Sequence, residues 1–334
     1  MAATQQKPEY TVFIVSGDTK YNVTNAVLAQ DRAEPKGQIA QRVTLHLANV
    51  KVGDAWLSSL LKARDRVFIY ANDSTKEEEV FRGFLWTRAR ADSLTEKEIQ
   101  YTCYDNLIYF QESEESLYFT AGKRTKDIVA SICDKWGIKL QYTYDSISHE
   151  KMPLRGTLAD IFTNDILDLV KKRTKKKYVV LSEKDTILVK PVGANTTYYH
   201  FEAGKNVTRT ASGWTMDGII TKVVITGKAD DDKREPIEAT VSGKTSQYGT
   251  VQKLQKKDEN TSLEDAKIEA QNTIDENGEP KWEYEIHAPD IPWIRKGDKV
   301  YVSAGELSGY FIVTDIDRTI DQKRREMTLS LEPA

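Results

Sequence analysis

One short phrase occurs twice in this chain, and it limits the folds that the chain can adopt. The sequence DKVYVSA, at residues 298–304, lies 233 residues after DRVFIYA, at residues 65–71. In both copies apolar residues alternate with other side chains, which is the period of a half-buried β-strand that starts just after a polar turn. Gly297 supplies a turn conformation that bulkier residues resist. The phrase therefore predicts the start of a strand rather than a catalytic loop.

Further segments extend the parallel in the same order along the chain. The matched segments are 43–46 with 284–287, 83–86 with 309–312, and 98–102 with 326–330, at offsets of 241, 226 and 228. The offsets differ only by gaps of the size of a loop, so we interpret the chain as two copies of one antiparallel β unit. The alternative, that unrelated amphipathic strands resemble each other, stays open at this point.

Between the two copies the hydrophobic period changes to that of a helix. Residues 125–138 and 157–173 each place their apolar side chains on one helix face. Thr157 and Asp160 have the spacing of a capping box at the start of the second helix. Strand patterns follow both helices, and the last of them is a hairpin around SEKD. We therefore expect a small α+β module over residues 116–192.

The domain organisation follows from these patterns. The length of 334 residues fits two or three domains. We predict a mostly β protein with two antiparallel β domains, residues 1–115 and 193–334, that flank the α+β domain 116–192. Within the last domain, we expect residues 229–260 to be an exposed polar loop or hairpin and residues 262–276 to be a helix.

Composition and charge exclude several classes of function. The net charge of −3 gives no field that would select nucleic acid or an anionic membrane surface. Cys103 and Cys133 form no C-x-x-C motif, so a zinc ribbon or a redox pair is not expected. No apolar stretch near 18 residues and no leader-like N-terminus is found, so we expect no membrane insertion. We expect the protein to be made and kept in a reducing cytoplasm, or to leave it by a route that needs no signal.

Candidate catalytic and metal-binding groups carry little signal. His46 and His287 occupy matched places in the two copies, which favours a structural position over a metal ligand. The sequence contains no H-E-x-x-H motif and no nucleophile signature. We interpret the carboxylates of FQESEESLYF and the triple aspartate at 230–232 as solvated loops, with a glycosidase pair and a calcium site as the less favoured alternatives. We interpret the basic run at 171–177 as cations that complement a helix C-terminus, with contact to DNA or to an acidic partner as the less favoured alternative. We expect no catalytic residue, no cofactor and no metal.

The turn before the second phrase is the best candidate for a contact surface. Trp293 is flanked by Pro289 and Pro292 just before the strand. An exposed tryptophan there would anchor a contact between subunits, and the alternative is a plug that closes the end of a barrel. The predicted interface residues are Trp293, Arg295 and Lys299.

Several segments, in their order, resemble the baseplate hub proteins of contractile-tailed phages, PBSX-type prophages and contractile bacteriocins. They include EEEVFRGFLWTRARAD, EIQYTCYDNLIYF, TKDIVASICDKWGI, IPWIRKGDKVYVS and GYFIVTDIDRTID. The resemblance covers nearly the whole chain. It implies two antiparallel β-barrel domains similar to the tail-tube protein, with the α+β domain between them.

The resemblance also implies a function without catalysis. A homotrimer with two barrels in each chain would present a pseudo-sixfold ring that joins a sixfold tail tube to a threefold spike. The implied partners are two further copies of the chain, the tail tube or a tube-initiator protein, the central spike protein, baseplate wedge proteins and, less directly, the tape measure protein. The implied location is the baseplate of a virion or tail-like particle, after synthesis in the cytoplasm of the bacterial host. The alternative is a tail-tip protein that binds the cell wall or cleaves peptidoglycan, with the site in residues 116–192.

Overall fold

Two strands of the N-terminal part, Arg42–Ala48 and Arg66–Asn72, bury alternate side chains, as their period-two pattern predicts. In the strand Arg42–Ala48, the side chains of Val43, Leu45 and Leu47 are fully buried and the intervening ones are not. The strands are β1 (Glu9–Ser16), β2 (Thr19–Asn22), β3 (Val27–Glu34), β4 (Arg42–Ala48), β5 (Lys51–Val52), β6 (Ala55–Trp56), β7 (Arg66–Asn72), β8 (Glu77–Asp92) and β9 (Lys97–Tyr104), with a one-turn helix α1 (Leu57–Leu60). The computed structural model describes residues 7–92, 97–228, 234–257 and 261–334.

The middle of the chain forms an α+β module with a hydrophobic core of its own. Its elements are α2 (Ile108–Glu112), β10 (Glu114–Phe119), α3 (Thr125–Lys135), β11 (Lys139–Tyr142), β12 (Met152–Thr157), α4 (Leu158–Asp160), a π-helical segment (Ile161–Leu167), α5 (Asp168–Thr174), β13 (Tyr178–Glu183) and β14 (Thr186–Pro191). The predicted cap is present, because Thr157 Oγ1 accepts the Asp160 N–H at 3.1 Å. The core of this module includes Phe110, Ile132 and Phe162.

The last part of the chain returns to strands. Its elements are β15 (His200–Glu202), β16 (Arg209–Thr215), β17 (Lys222–Thr226), β18 (Ile237–Ser242), α6 (Thr245–Tyr248), β19 (Gln252–Lys256), α7 (Leu263–Asn277), β20 (Lys281–Pro289), β21 (Lys299–Ala304), β22 (Leu307–Asp321) and β23 (Arg325–Pro333). Ser262 caps α7, since its Oγ accepts the Asp265 N–H at 3.1 Å. None of the helices in the described ranges combines the length and the apolar run that crossing a membrane would require.

The chain divides into two compact units. Unit 1 is Met1–Ala211 with Glu285–Ala334, and unit 2 is Ser212–Tyr284. Unit 2 contains the small sheet β18-β17-β19, whose Val223 and Ile225 pack against α7. Strands therefore occupy much of the range 229–260, where we expected an exposed polar loop or hairpin. They pair on either side of β17, because this apolar strand lies between the more polar β18 and β19. Residues 229–233 and 258–260 lie outside the described residues, and the domain limits 115, 192 and 193 stay a prediction.

The large sheet shows the duplication directly. Its strand order is β16-β20-β23-β22-β3-β4-β9-β8-β7-β1-β2, with β21 paired to β22 and β15 paired to β21. The order contains two equivalent series of five strands, β3-β4-β9-β8-β7 and β16-β20-β23-β22-β21. Each series continues into one further strand, but β1 runs antiparallel to β7 whereas β15 runs parallel to β21. The two series are joined where β3 pairs antiparallel with the C-terminal half of β22. This confirms the predicted mostly β fold with a repeated antiparallel unit.

Candidate interaction surface

The turns that start β7 and β21 have the same hydrogen bonds. In the first, Asp65 accepts the backbone N–H of Lys62 at 2.7 Å, and in the second Asp298 accepts that of Arg295 at 2.9 Å. The backbone N–H groups of Asp65 and Asp298 donate back to the carbonyls of Lys62 and Arg295, at 3.2 and 3.1 Å. A carboxylate three residues after a free N–H closes such a turn, so the repeated aspartate fixes where each strand starts.

The strand register corrects one detail of the sequence alignment. Leu85 N–H donates to the Asp65 carbonyl and Val313 N–H donates to the Asp298 carbonyl, each at 2.9 Å. The two long strands also carry their bulges at equivalent places, directly after Leu85 and Val313. The offset there is 228 rather than 226, so Gly83 and Gly309 are not equivalent residues. The glycine match was misleading because the two matched segments are only four residues long, and such short apolar segments align almost equally well two residues apart.

Trp293 makes its contacts within the chain. Its indole Nε1–H donates to Asp73 at 2.8 Å, and the Lys76 ammonium lies 4.0 Å from its ring centroid. Both partners lie in the turn that joins β7 to β8. Trp293 therefore links the C-terminal β series to the N-terminal one. Burial alone would raise the pKa of Asp73, but hydrogen bonds from Thr75, Trp293 and the backbone hold it below its ordinary value. A role for Trp293 between subunits stays a prediction.

Arg295 and Lys299 lie in different environments. The Arg295 Nε lies 2.7 Å from the carboxylate of Glu34, which also accepts the Lys296 N–H at 3.1 Å. Arg295 thus binds the end of β3. The ammonium of Lys299 instead faces two tyrosine rings, Tyr198 and Tyr310, at 5.4 and 5.7 Å from their centroids. The three residues predicted as an interface therefore do not form one patch, and their role between subunits stays a prediction.

Charged side chains are buried at the junction of the two series, and the sequence did not predict them. Arg318 on β22 lies directly opposite Arg32 on β3, and both side chains are about 1% exposed. Arg318 Nε pairs with Asp290 at 3.0 Å and its Nη2 donates to the Ile294 carbonyl at 2.5 Å. Tyr10 donates its hydroxyl proton to Asp290 as well. The available signal was the alternation of Gln30, Arg32 and Glu34 along one strand face.

An outward face of the first series combines cations with aromatic rings. This first aromatic face consists of Phe13, Arg66, Phe68, Arg82 and Phe84. The guanidinium groups of Arg66 and Arg82 each lie 5.2 Å from the centroid of the Phe68 ring. Both also bind the Asp185 carboxylate, at 2.5 and 3.0 Å. Asp185 lies in the tight turn between β13 and β14, so the α+β module covers this face.

The second series has a comparable face. This second aromatic face consists of Tyr198, His200, Lys299, Tyr301 and Tyr310. The Tyr301 ring lies edge-on to Tyr310 at 5.1 Å and to His200 at 5.0 Å between centroids. Tyr310 is 54% exposed and Tyr198 is 48% exposed. Sequence analysis named only Lys299 here, although alternate outward positions of the repeated strand pointed to Tyr301.

The histidines of the repeat have acidic neighbours. His46 Nδ1 lies 2.5 Å from Glu98, and His287 Nε2 lies 2.7 Å from Glu285. His287 Nδ1 also contacts the Thr328 hydroxyl at 3.1 Å. Among the residues that the structure describes, no group of three or more His, Cys, Asp or Glu side chains is arranged to hold a metal ion. The triple aspartate at 230–232 lies outside the described residues.

Solved structures with this fold come from phage tails and a related secretion system. The 43 kDa tail protein of prophage MuSo2 from Shewanella oneidensis has a TM-score of 0.69 at 15% identity, covering 97% of this chain and 98% of that chain. A tail protein from Neisseria meningitidis has a TM-score of 0.69 at 12% identity, covering 97% and 96%. An E. coli component of the type VI secretion system, described as structurally similar to the T4 tail proteins gp27 and gp5, has a TM-score of 0.56 at 9% identity, covering 92% and 73%.

At these identities the similarity establishes the fold, which is that of phage tail proteins. It confirms the fold that the resemblance to the tail hub family implied. Residues 65–332 match the YQBQ-like family, so the chain belongs to that family. The comparison with curated proteins gives no match.

Proposed function

We propose that this protein is a trimeric hub in the baseplate of a phage or phage-like tail, where it joins a sixfold tube to a threefold spike. The observation that supports this proposal best is the duplication: one chain carries two equivalent series of strands with the same turn hydrogen bonds at Asp65 and Asp298. Three chains then supply six equivalent units, while the differences between the two series give only threefold symmetry.

The junction within the chain suggests how such a ring closes. Residues 316–321 of β22 pair with β3. The equivalent strands are β8, whose matched stretch is 88–92, and β16, which ends the strand order of the large sheet. Pairing β16 of one subunit with β8 of the next would repeat the internal junction three times. It would also cover sheet edges that otherwise invite aggregation.

The proposed partners follow from the two symmetries. The ring would contact the tail tube or its initiator on one side and the central spike on the other, with wedge proteins outside and the tape measure protein along the axis. We propose a tail or tail-like particle as its location and a role without catalysis. Two carboxylates of the α+β module have structural contacts: Asp160 lies in the cap at the start of α4, and Glu115 pairs with Lys135.

The solution mass tests the proposal. We expect light scattering on a sizing column to give three times 38.0 kDa for the protein alone, or a 3:3 complex when it is co-expressed with its spike. A monomer under both conditions would contradict the hub. Zymography on host cell walls is the second arm, and clearing by the purified protein would support the wall-cleaving alternative instead.

A further inference from the structure

The two aromatic faces occupy equivalent positions on β7–β8 and β21–β22. The contacts of the first face therefore indicate what the second face can bind. Phe68 lies opposite Arg82 in the β7–β8 pair, and Tyr301 lies opposite Tyr310 in the β21–β22 pair. On the neighbouring strand, Phe13 lies opposite Phe68, and His200 lies opposite Tyr301. A central ring with aromatic or cationic neighbours on both sides is therefore common to the two faces.

A cation is also placed at the same point of both faces. Arg66 and Lys299 each follow the repeated turn aspartate of their series by one residue. In the first face, Arg66 combines ring contacts with an ion pair to Asp185. In the second, the Lys299 ammonium contacts ring faces, and no carboxylate of the described chain lies within ion-pair distance of it.

The first aromatic face shows what such a surface binds. Asp185 and Lys184 have positive φ angles of 66° and 48°, so a tight hairpin turn presents the carboxylate at its tip. That carboxylate lies between two guanidinium groups which themselves lie on an aromatic ring. A cation held over a ring has lost part of its hydration, and a carboxylate then restores strong hydrogen bonds to it.

The second aromatic face has the same chemistry and remains exposed. Tyr198 and Tyr310 add two hydroxyl groups that can donate to a carboxylate. Exposed tyrosines beside a cation are typical of the anchoring residues of protein interfaces. We propose that the second aromatic face is the docking site for an acidic turn of a partner protein, bound as Asp185 is bound on the first.

The occupant that fits best is a different protein rather than a second copy. In each copy, Arg66 and Arg82 already hold the acidic turn of β13–β14, so that turn is not free to bind a neighbour. This inference goes beyond the proposed hub and does not depend on the trimer, because the second aromatic face is complete within one chain.

A cyclic, fluorescein-labelled peptide of residues 178–191 is the probe, and its binding to the full-length protein is measured by fluorescence anisotropy. We expect saturable binding below about 2 mM. Lys299→Ala or Tyr310→Ser in the protein should weaken it about fivefold or more, because each removes a group that faces the carboxylate. A peptide with Asp185→Asn should lose affinity by a similar factor.

Matched controls keep the result interpretable. Lys323→Ala removes one exposed lysine of the same β series away from the face and should leave the affinity unchanged. Circular dichroism establishes that each variant is folded. Absence of binding up to about 2 mM, or binding that is indifferent to Lys299→Ala and to the Asp185→Asn peptide, would overturn the proposal.

A second measurement separates the two occupants. If Tyr310→Ser lowers the solution mass of the protein alone, a second copy covers the face, and the proposed partner is wrong. If the mass is unchanged while peptide affinity falls, the acidic turn of another protein is supported. Because the peptide binds one chain, failure of the hub trimer leaves this result unaffected.

Discussion

The backbone before each repeated strand adopts a left-handed conformation. Arg64 has φ 69° and Gly297 has φ 86° at equivalent positions. A Cβ at Gly297 would lie 2.8 Å from Val179 Cγ1. We expect Gly297→Ala to lower the free energy of unfolding by about 1–3 kcal/mol, from strain and this contact.

The matched change is Arg64→Gly, measured in the same urea titrations. It relieves a left-handed non-glycine residue but adds freedom to the unfolded chain, so we expect a change of less than about 1 kcal/mol. Equal losses in the two variants would show that the contact with Val179 has no energetic role.

The two turn aspartates differ in burial, and their loss should differ accordingly. Asp298 is 7% exposed, so Asp298→Ala leaves the Arg295 N–H without its acceptor at a site that water reaches poorly. We expect a loss of about 1–3 kcal/mol, measured by thermal unfolding. Asp65 is less buried, so in Asp65→Ala water can bind the Lys62 N–H that loses its acceptor. We expect this variant to cost less than about 1 kcal/mol. A larger loss for Asp65→Ala would contradict this account.

Asp105 should make stability depend on pH. Burial raises its pKa to about 7, although both oxygens accept backbone N–H groups, from Gln41 at 3.1 Å and Leu107 at 3.0 Å. The folded state thus binds this proton more tightly than the unfolded chain, whose carboxyl titrates near pH 4. The stability from the proton is fully present below about pH 4 and is lost as the pH rises to about 7.

Urea denaturation at pH 5 and pH 8 checks this prediction. Asp105→Asn cannot ionise, so we expect a smaller fall in stability between the two values than in the wild type. The variant should be the less stable protein at pH 5, because one amide oxygen replaces two acceptors. Asp54→Asn, at an exposed position, should lose as much stability between pH 5 and pH 8 as the wild type does. Parallel curves for Asp105→Asn and wild type would refute the role of Asp105.

Single residues were predictable where their role is local. Gly297 and the aspartate after it could be identified because a turn needs them within four residues. Arg32 and Arg318 could not be paired, since they are 286 positions apart and their burial depends on the register of two distant strands. Trp293 could be singled out, but its partner Asp73 lies 220 residues away.

At the scale of elements, the β3–β22 junction depends on unequal arginines. Arg318 pairs with the buried Asp290, whereas Arg32 Nη2 donates only to the Pro292 carbonyl, at 3.3 Å, and its Nε and Nη1 have no partner. We expect Arg318→Met to cost about 3–5 kcal/mol, because it leaves a buried carboxylate unpaired. Arg32→Met should cost less than half as much, since it also removes repulsion between two cations.

Urea denaturation of both variants gives the comparison. Adding Asp290→Asn to Arg318→Met should recover part of the loss, which distinguishes an unpaired charge from a packing defect. If Arg32→Met lowers the stability more than Arg318→Met does, Arg32 rather than Arg318 is the arginine on which the junction depends, and this prediction is wrong.

Elements were predictable where the hydrophobic period is strong. Apolar residues recur every two residues in β4 and about every 3.6 residues in the helices of the α+β module, so both kinds of element could be predicted from the sequence. The polar range 229–260 allowed a loop or a hairpin, but the pairing of β18 and β19 with β17 was not predictable, because most side chains of β18 and β19 are exposed and polar. The alignment of β8 with β22 was wrong by two residues, because short apolar segments with the same alternation match almost equally well two residues apart.

At the scale of the molecule, unit 2 should be dispensable for the fold of unit 1. It is one contiguous segment with its own core of Val223, Ile225, Ala266, Ala270 and Ile274. We expect replacement of residues 217–280 by a short Gly-Ser linker to leave the thermal unfolding midpoint of unit 1 nearly unchanged, measured by circular dichroism.

The matched deletion removes residues 116–191 instead. Ala40, Leu107 and Phe110 belong to the same core as the α+β module, so this deletion exposes them and should cause aggregation. If the deletion in unit 2 aggregates and the other variant folds, the assignment of independent cores is wrong. The overall architecture was predictable from the repeat and the family resemblance, whereas the single large sheet was not, because it depends on the β3–β22 pair.

That pair also sets the order of events during synthesis. Position 318 follows position 32 by 286 residues, so at about 5–20 residues per second the ribosome needs roughly 15–60 s to deliver β22 after β3. During this time β3 is an uncovered strand edge on a nearly complete N-terminal domain. Its inward-facing Arg32 and Glu34 oppose pairing with another nascent chain, because charges on an edge are costly to bury without their partners. The groups that are buried in the finished protein thus protect it while it is being made.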